Sequence, residues 1–175
     1  MLTINFATRA LLALAIALVA AGAIFAQAWS AKLDDKVRFY QVTDVGALIV
    51  GTKKSLYAVD GMTGDILWRH RTRTPPNTAT LTTGGGLVVV GDFDRYLYVH
   101  DAATGKILFQ TRLSTSVQGF PITYAVNGRQ FLAIPVGTGG GQWVTTIPSE
   151  LTPEKKIAPG SNAIFVFALP EVPQR

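Results

Sequence analysis

His70, His100, Asp92 and Asp94 are the side chains of this 175-residue chain whose chemistry first suggests a metal or proton-transfer site. A metal centre needs several convergent donors, usually in short, recognisable spacings. The two histidines stand alone, with no second ligand at helical or hairpin spacing, so they read as structural or surface residues. Asp92-Phe93-Asp94-Arg95 reads as a surface turn in preference to a cation site. The run Gly137 to Gly141 could offer backbone N–H groups to a phosphate, but phosphate loops lead into a helix and carry Lys-Ser/Thr or a dinucleotide fingerprint. Neither is present, and the run reads as a flexible loop with Trp143 as a packing residue beyond it. No Ser, His and Asp are spaced as a nucleophilic triad. With no Cys, the chain has no disulfide, thiolate metal site, cysteine nucleophile or lipidated cysteine. The residues alone assign no catalytic and no metal-ligating position.

The formal charge is +5, and basic proteins can meet acidic partners or anionic surfaces. Outside Arg69, His70, Arg71 and Arg73 the cations are scattered as singles or pairs, such as Lys53-Lys54 and Lys155-Lys156. They lack the aromatic spacing of a base-stacking platform, which argues against nucleic acid. The Arg69 to Arg73 cluster reads as a solvated loop, with a specific anion site as the alternative.

The elements that must position these residues come from an internal repeat. Val45 to His70 reads VGALIVGTKKSLYAVDGMTGDILWRH, and the segment from Gly85 reads GGLVVVGDFDRYLYVHDAATGKILFQTR. Gly51 aligns with Gly91, Leu56-Tyr57 with Leu97-Tyr98, Asp60 with Asp101, and Thr63-Gly64 with Thr104-Gly105. The aspartates lie 41 residues apart, with one residue inserted between Gly91 and Tyr96. A period near ~40 with β-type segments points to propeller blades.

Each copy has three readable strands. Ala47 to Val50 and Leu87 to Val90 are short apolar runs suited to burial on both faces. Ser55 to Val59 and Tyr96 to His100 follow, with alternating character. In the Asp-x-x-Thr-Gly turn the carboxylate accepts backbone N–H groups, the hydroxyl adds a further bond, and Gly takes a positive φ. Ile66 to Trp68 and Ile107 to Phe109 form the third strands. Repeats therefore occupy about 45–72 and 85–113. Pro121 to Val126 and Arg129 to Val136 flank Asn127-Gly128, the signal for a type I′ hairpin over 121–136. A loop over 137–161, broken by Pro148, Pro153 and Pro159, leads to a last strand at 163–169. Nothing after Ala28 reads as a helix.

Residues 1–28 read as an export signal: Arg9, the apolar run Ala10 to Ala26, and Ala26-Gln27-Ala28 as the cleavage site. The alternative is an uncleaved anchor, the one route to a membrane, since the run is near the ~17-residue minimum for a span. Either way, residues 29–175 are expected outside the cytoplasm, in the periplasm or an equivalent exported location, or anchored at the inner membrane.

Leu56-Tyr57-Ala58-Val59-Asp60, through Thr63-Gly64 to Trp68, resembles the repeat of pyrroloquinoline-quinone (PQQ) propellers. From about Pro75, GGGLVVVGDFDRYLYVHDAATGKILFQTRL, SVQGFPITYAVNGRQFLAIPVGTGGG and SNAIFVFALP are similar to the carboxyl-terminal end of quinoprotein alcohol dehydrogenases. Residues 30–74 look more like an early blade of exported, non-dehydrogenase PQQ-like proteins, so Arg73 to Pro76 is expected to mark an internal deletion or fusion junction. The resemblance implies an all-β, partial β-propeller. It also implies that the repeat motif Asp60, Thr63, Gly64, Trp68 and its second copy Asp101, Thr104, Gly105, Phe109 is structural. The motif aromatic docks between blades. Trp68 fits that role, while Phe109 departs from it and implies a weaker or differently packed second junction.

The resemblance further implies PQQ as cofactor and alcohol oxidation as ancestral activity. Intact relatives hold Ca²⁺ through Glu and Asn, use an Asp base and a Trp under the cofactor, and carry a vicinal disulfide. No stretch here matches those motifs, so PQQ-contacting residues stay unknown and calcium is unsupported. About 147 residues after the leader make about 3.6 repeats, whereas closed propellers have at least four blades. Open blade edges would then favour self-association, a protein partner or poor solubility. The last strand is expected to pair with Val37 to Thr43 or with a second molecule. A catalytically incompetent propeller segment and a non-catalytic scaffold or binding module are both consistent with these features, as is a defective gene product.

Overall fold

A computed structural model describes residues 27–76, 80–137, 150–155 and 160–169. The leader assigned to 1–28 lies outside the described residues apart from Gln27 and Ala28. Among the described residues, no helix is long and apolar enough to cross a membrane. Met1–Ser30 and Ala31–Arg175 are separate compact units, and every strand belongs to the second.

That unit is built from antiparallel sheets. The first runs β1 (Phe39–Val42), β2 (Ala47–Gly51), β3 (Ser55–Asp60), β4 (Ile66–Arg71) in spatial order. The second runs β5 (Leu81–Thr82), β6 (Leu87–Gly91), β7 (Tyr96–Asp101), β8 (Ile107–Arg112). The third has the order β11 (Ala163–Ala168), β10 (Arg129–Val136), β9 (Ile122–Val126). Three- and four-stranded sheets stacked through their faces, with no closed barrel, make the all-β partial propeller expected from the repeat.

The repeat is copied down to its hydrogen bonds. Thr43 N–H donates to Ala47 O at 2.8 Å, and Thr83 N–H donates to Leu87 O at 3.0 Å. Gly46 and Gly86 follow with φ of 80° and 74°. The register of β3 on β4 shifts at Ala58/Val59, and that of β7 on β8 at Val99/His100, the aligned position of the second copy. The residue inserted before Tyr96 is absorbed by Arg95, whose φ of 73° lengthens the β6–β7 turn without disturbing the pairing of Gly91 with Leu97.

Each of the first two sheets also has a strand that the repeat reading omitted. β1 and β5 precede the aligned segments and are only four and two residues long. Short edge strands carry too little periodicity to stand out from their flanking turns. The alternation read in Ser55 to Val59 and Tyr96 to His100 does not translate into alternating burial. β3 is buried from Ser55 to Val59 and β7 from Leu97 to His100. Both faces of these central strands are covered, so their polar side chains are buried as well and need partners within the fold.

One apolar core lies between the first two sheets, with Ile49, Leu56, Ala58 and Trp68 meeting Val88, Val90, Tyr98 and Ala102. Another lies between the second and third, with Val89, Leu97, Val99 and Leu113 meeting Val117, Ile134 and Val136. Val88 and Val90 point one way along β6 and Val89 the other, so one strand feeds both cores.

The Asn127-Gly128 hairpin forms, with both residues at positive φ (51° and 77°) and Val126 paired with Arg129. Ala163–Ala168 pairs with β10 rather than with Val37 to Thr43: Val136 faces Ala163 and Phe131 faces Ala168. β1 is already the partner of β2, through Phe39 to Gly51 and Val42 to Leu48. Consecutive strands of one blade thus satisfy each other locally. Glu150 and Leu151 are helical, a departure from the all-strand reading. Residues 73–76 are woven into the second sheet, where Pro76 bridges to Asp92 and Phe93 N–H donates to Pro75 O at 3.3 Å.

Candidate functional site

The chemistry-bearing side chains converge on the junction between the first and second sheets. Its construction begins in the turns. Asp60 Oδ1 accepts from the N–H groups of Met62 at 2.7 Å and Thr63 at 2.9 Å, and Gly64 closes the turn at φ 81°. Asp101 Oδ1 accepts from Thr104 N–H and Thr104 Oγ1–H, both at 2.8 Å, and Gly105 closes the second turn at φ 70°. The Thr63 amide and the Thr104 hydroxyl are the main reasons that Asp60 and Asp101 sit below the ordinary carboxyl range. The Thr63 hydroxyl instead donates to Asp65 at 2.8 Å, where the second copy has Lys106.

Trp68 leaves β4 toward the second sheet and is 9% exposed. Its indole Nε1–H donates to Ala102 O at 2.8 Å. Its ring covers Gly105, where a Cβ would lie 2.6 Å from the indole. Gly105 is therefore required twice, for its positive φ and for the ring above it. The aligned Phe109 leaves β8 toward the third sheet, is 45% exposed, and meets Phe167 edge-on with centroids 5.8 Å apart.

The histidines are together, contrary to their reading as isolated residues. Their ring centroids lie 4.9 Å apart. Trp68 stacks on His100 at 5.7 Å with an interplanar angle of 18°. Tyr98 lies 5.1 Å from His70, and Tyr96 stacks on Tyr98 at 5.8 Å. The signal for this was available: Trp68 and His70 are two residues apart on one strand, so a docking Trp carries His70 to the same face.

Asp92 is buried, which corrects its reading as part of a surface turn. Its carboxyl accepts from Tyr96 N–H at 2.8 Å, Thr74 Oγ1–H at 3.0 Å and Tyr98 OH at 3.4 Å. Burial pushes it up to about 6 despite these donors, and burial together with Asp92 raises the Tyr98 phenol. Asp94 is the outer acid of the pair, bonded to Lys155 at 2.9 Å and Arg112 at 3.0 Å. The two carboxylates serve different networks. Among the described residues, no three His, Cys, Asp or Glu side chains gather as a metal set. Thr74, Tyr96 and Tyr98 take up the Asp92 carboxyl and Arg112 and Lys155 that of Asp94, so the pair does not converge on one cation.

The Arg69 to Arg73 cluster is not a loop, because Arg69 to Arg71 belong to β4. Arg69 pairs with Asp34 and covers the Tyr57 ring at 5.2 Å, while Arg73 pairs with Glu154. These acids pair with two of the three arginines of the cluster proposed as an anion site. Of the glycine run, Gly137 is described, with its N–H donating to Ser116 O at 3.1 Å. Residues 138–141 and Trp143 lie outside the described residues.

Residues 70–132 match the PQQ family model for the β-propeller domain of glucose/ethanol/alcohol dehydrogenases. Over 118 residues the chain is 35% identical to quinoprotein ethanol dehydrogenase of Pseudomonas putida, covering 66% of this chain and 18% of that enzyme. The structure of quinohemoprotein alcohol dehydrogenase from Comamonas testosteroni is similar with a TM-score of 0.53 and 28% identity, covering 73% of this chain and 18% of that one. BamB from Moraxella catarrhalis shares the fold with a TM-score of 0.51 at 19% identity, covering 63% of this chain and 34% of that one. The chain spans about a fifth of the length of the curated relatives it matches. It therefore carries a PQQ-type β-propeller segment and is a homologue of the quinoprotein alcohol dehydrogenases over two thirds of its length.

Proposed function

We propose that this chain is an exported PQQ-repeat propeller segment that does not oxidise alcohols by itself. PQQ and alcohol oxidation enter through the relatives, whose names carry both the quinone cofactor and the substrate. The observation that carries the reading is the use made of its reactive side chains. Asp92 is held by Thr74, Tyr96 and Tyr98, and His100 is sealed between sheets against Trp68. Groups so placed hold blades together. The apolar run and Ala26-Gln27-Ala28 support export to the periplasm, with an uncleaved anchor as the alternative. Purified protein supplied with PQQ, Ca²⁺ and ethanol is expected to reduce an acceptor dye no faster than a blank without PQQ. Turnover above that blank overturns the reading.

A second reading, as a protein-binding or self-associating module, has its own support in the third sheet. Ile122, Tyr124 and Val126 of β9 share one face with Ile164 and Val166 of β11 across β10, and all five are exposed. An apolar sheet face of this kind marks an interaction surface. Light scattering on the same preparation is expected to show species larger than a monomer, and a monodisperse monomer contradicts this reading.

A further inference from the structure

The chain has two histidines, and the fold places both in the junction between the first two sheets. His100 is fully buried, and its Nδ1 lies 3.0 Å from Gly105 O. A carbonyl can only accept, so Nδ1 carries the proton and Nε2 is the basic nitrogen. Nε2 is buried without a hydrogen-bond partner. From β4, Trp68 and His70 face this ring, and from β7, Tyr96 and Tyr98 complete the cluster.

The charged groups nearby are turned to other work. Arg69 reaches Asp34, and Arg71 shares its side of β4 by alternation. Asp101 is bonded to Thr104 in the turn. Asp92 stands behind Tyr98 and accepts from Thr74, Tyr96 and Tyr98. No carboxylate bonded to either imidazole is present among the described residues to share an added proton. Burial holds both rings below the ordinary histidine value, and each proton on His100 would further disfavour one on His70.

We propose that the His70–His100 pair makes this junction an acid-sensitive latch. It is closed while both rings are neutral and loosened by one proton on either, whereas the junction between the second and third sheets, which holds no histidine, stays closed. A protonated His100 keeps Gly105 O as the acceptor at Nδ1 but gains a second N–H at the buried, unpartnered Nε2, a charged donor left without an acceptor inside the junction, which is costly.

The test follows the full chain from pH 7.5 to pH 5 by imidazole NMR and by amide protection of β4 against β10. His70→Gln assigns the resonances. Both rings are expected to titrate below the ordinary histidine value. The opening constant of β4 should rise by up to about tenfold per pH unit for each histidine that opening frees, while that of β10 changes less. His70→Gln, at a partly buried position, should cut this acid-driven opening severalfold, and Asp92→Asn should preserve or enlarge it, because protonation of the Asp92 carboxyl opposes it. A ring titrating at or above the ordinary value overturns the proposal. So does equal acid opening of both junctions, an unchanged response in His70→Gln, or loss of the response in Asp92→Asn.

Discussion

The two sheet junctions of this chain start from the same strand position and end differently. Trp68 is nearly buried, bonded to Ala102 O and seated on Gly105. Phe109 is about half exposed and touches Phe167 edge-on. The presenting strands do not explain this, because β4 and β8 have equal length and the same register shift against their partners. The difference lies in what the next sheet offers. Trp68 meets the Asp101 to Gly105 turn of the following repeat, with a free carbonyl and a residue without a Cβ. Phe109 faces a sheet with no such turn, since the sequence holds two Asp-x-x-Thr-Gly copies. A docking aromatic is therefore half of a device whose other half lies in the turn of the next repeat, 34 and 37 residues later for Trp68, or is not encoded here.

The largest expected effect follows from removing the indole. Trp68→Ala should cost about 3–5 kcal/mol by urea unfolding, as for a buried aromatic that also leaves a cavity. Phe109→Ala should cost roughly 1 kcal/mol, because half of the ring is already in water. Equal losses in the two variants would break the comparison.

A smaller effect sharpens it through pH. Asp92, in the first junction's network, is raised to about 6 from 3.8, so the fold favours its neutral form. For an acid raised in this way, the contribution to stability is fully present below the unfolded value and is lost as pH rises through about 6. Asp92→Asn keeps an acceptor for Tyr96 N–H and removes the buried charge. It should raise stability at pH 7 by about 1–2 kcal/mol and leave stability at pH 4 nearly unchanged. The histidines act in the opposite sense: their contribution is present above the ordinary histidine value and falls away as pH drops toward their lowered folded values. Unfolding curves at pH 4 and pH 7 check the sign, and a loss of stability at pH 7 in Asp92→Asn would contradict it.

Much of the fold was legible because the repeat duplicates special residues whose local physics is strict. Gly64 and Gly105 need positive φ, Asp60 and Asp101 cap their turns, and Asn127-Gly128 closes a hairpin, all through contacts within a few residues. What the sequence did not show is non-local. Asp92 looked like a turn acid because its neighbours are turn residues, yet Thr74 and Tyr98 bury it from either side. His70 and His100 are 30 residues apart and meet through sheet stacking, which no spacing rule for one helix or hairpin describes. The local partner of β11, β10, went unread because its partner was sought in Val37 to Thr43 or a second molecule.

The inequality of the junctions is tested most directly by native-state hydrogen exchange at neutral pH, comparing β3 and β4 with β8 and β11 in the unmodified chain. Slower exchange in the first pair, through a larger free energy of opening, is the predicted result. Equal protection, or greater protection in β8 and β11, would contradict the claim that the Trp68 junction is the stronger.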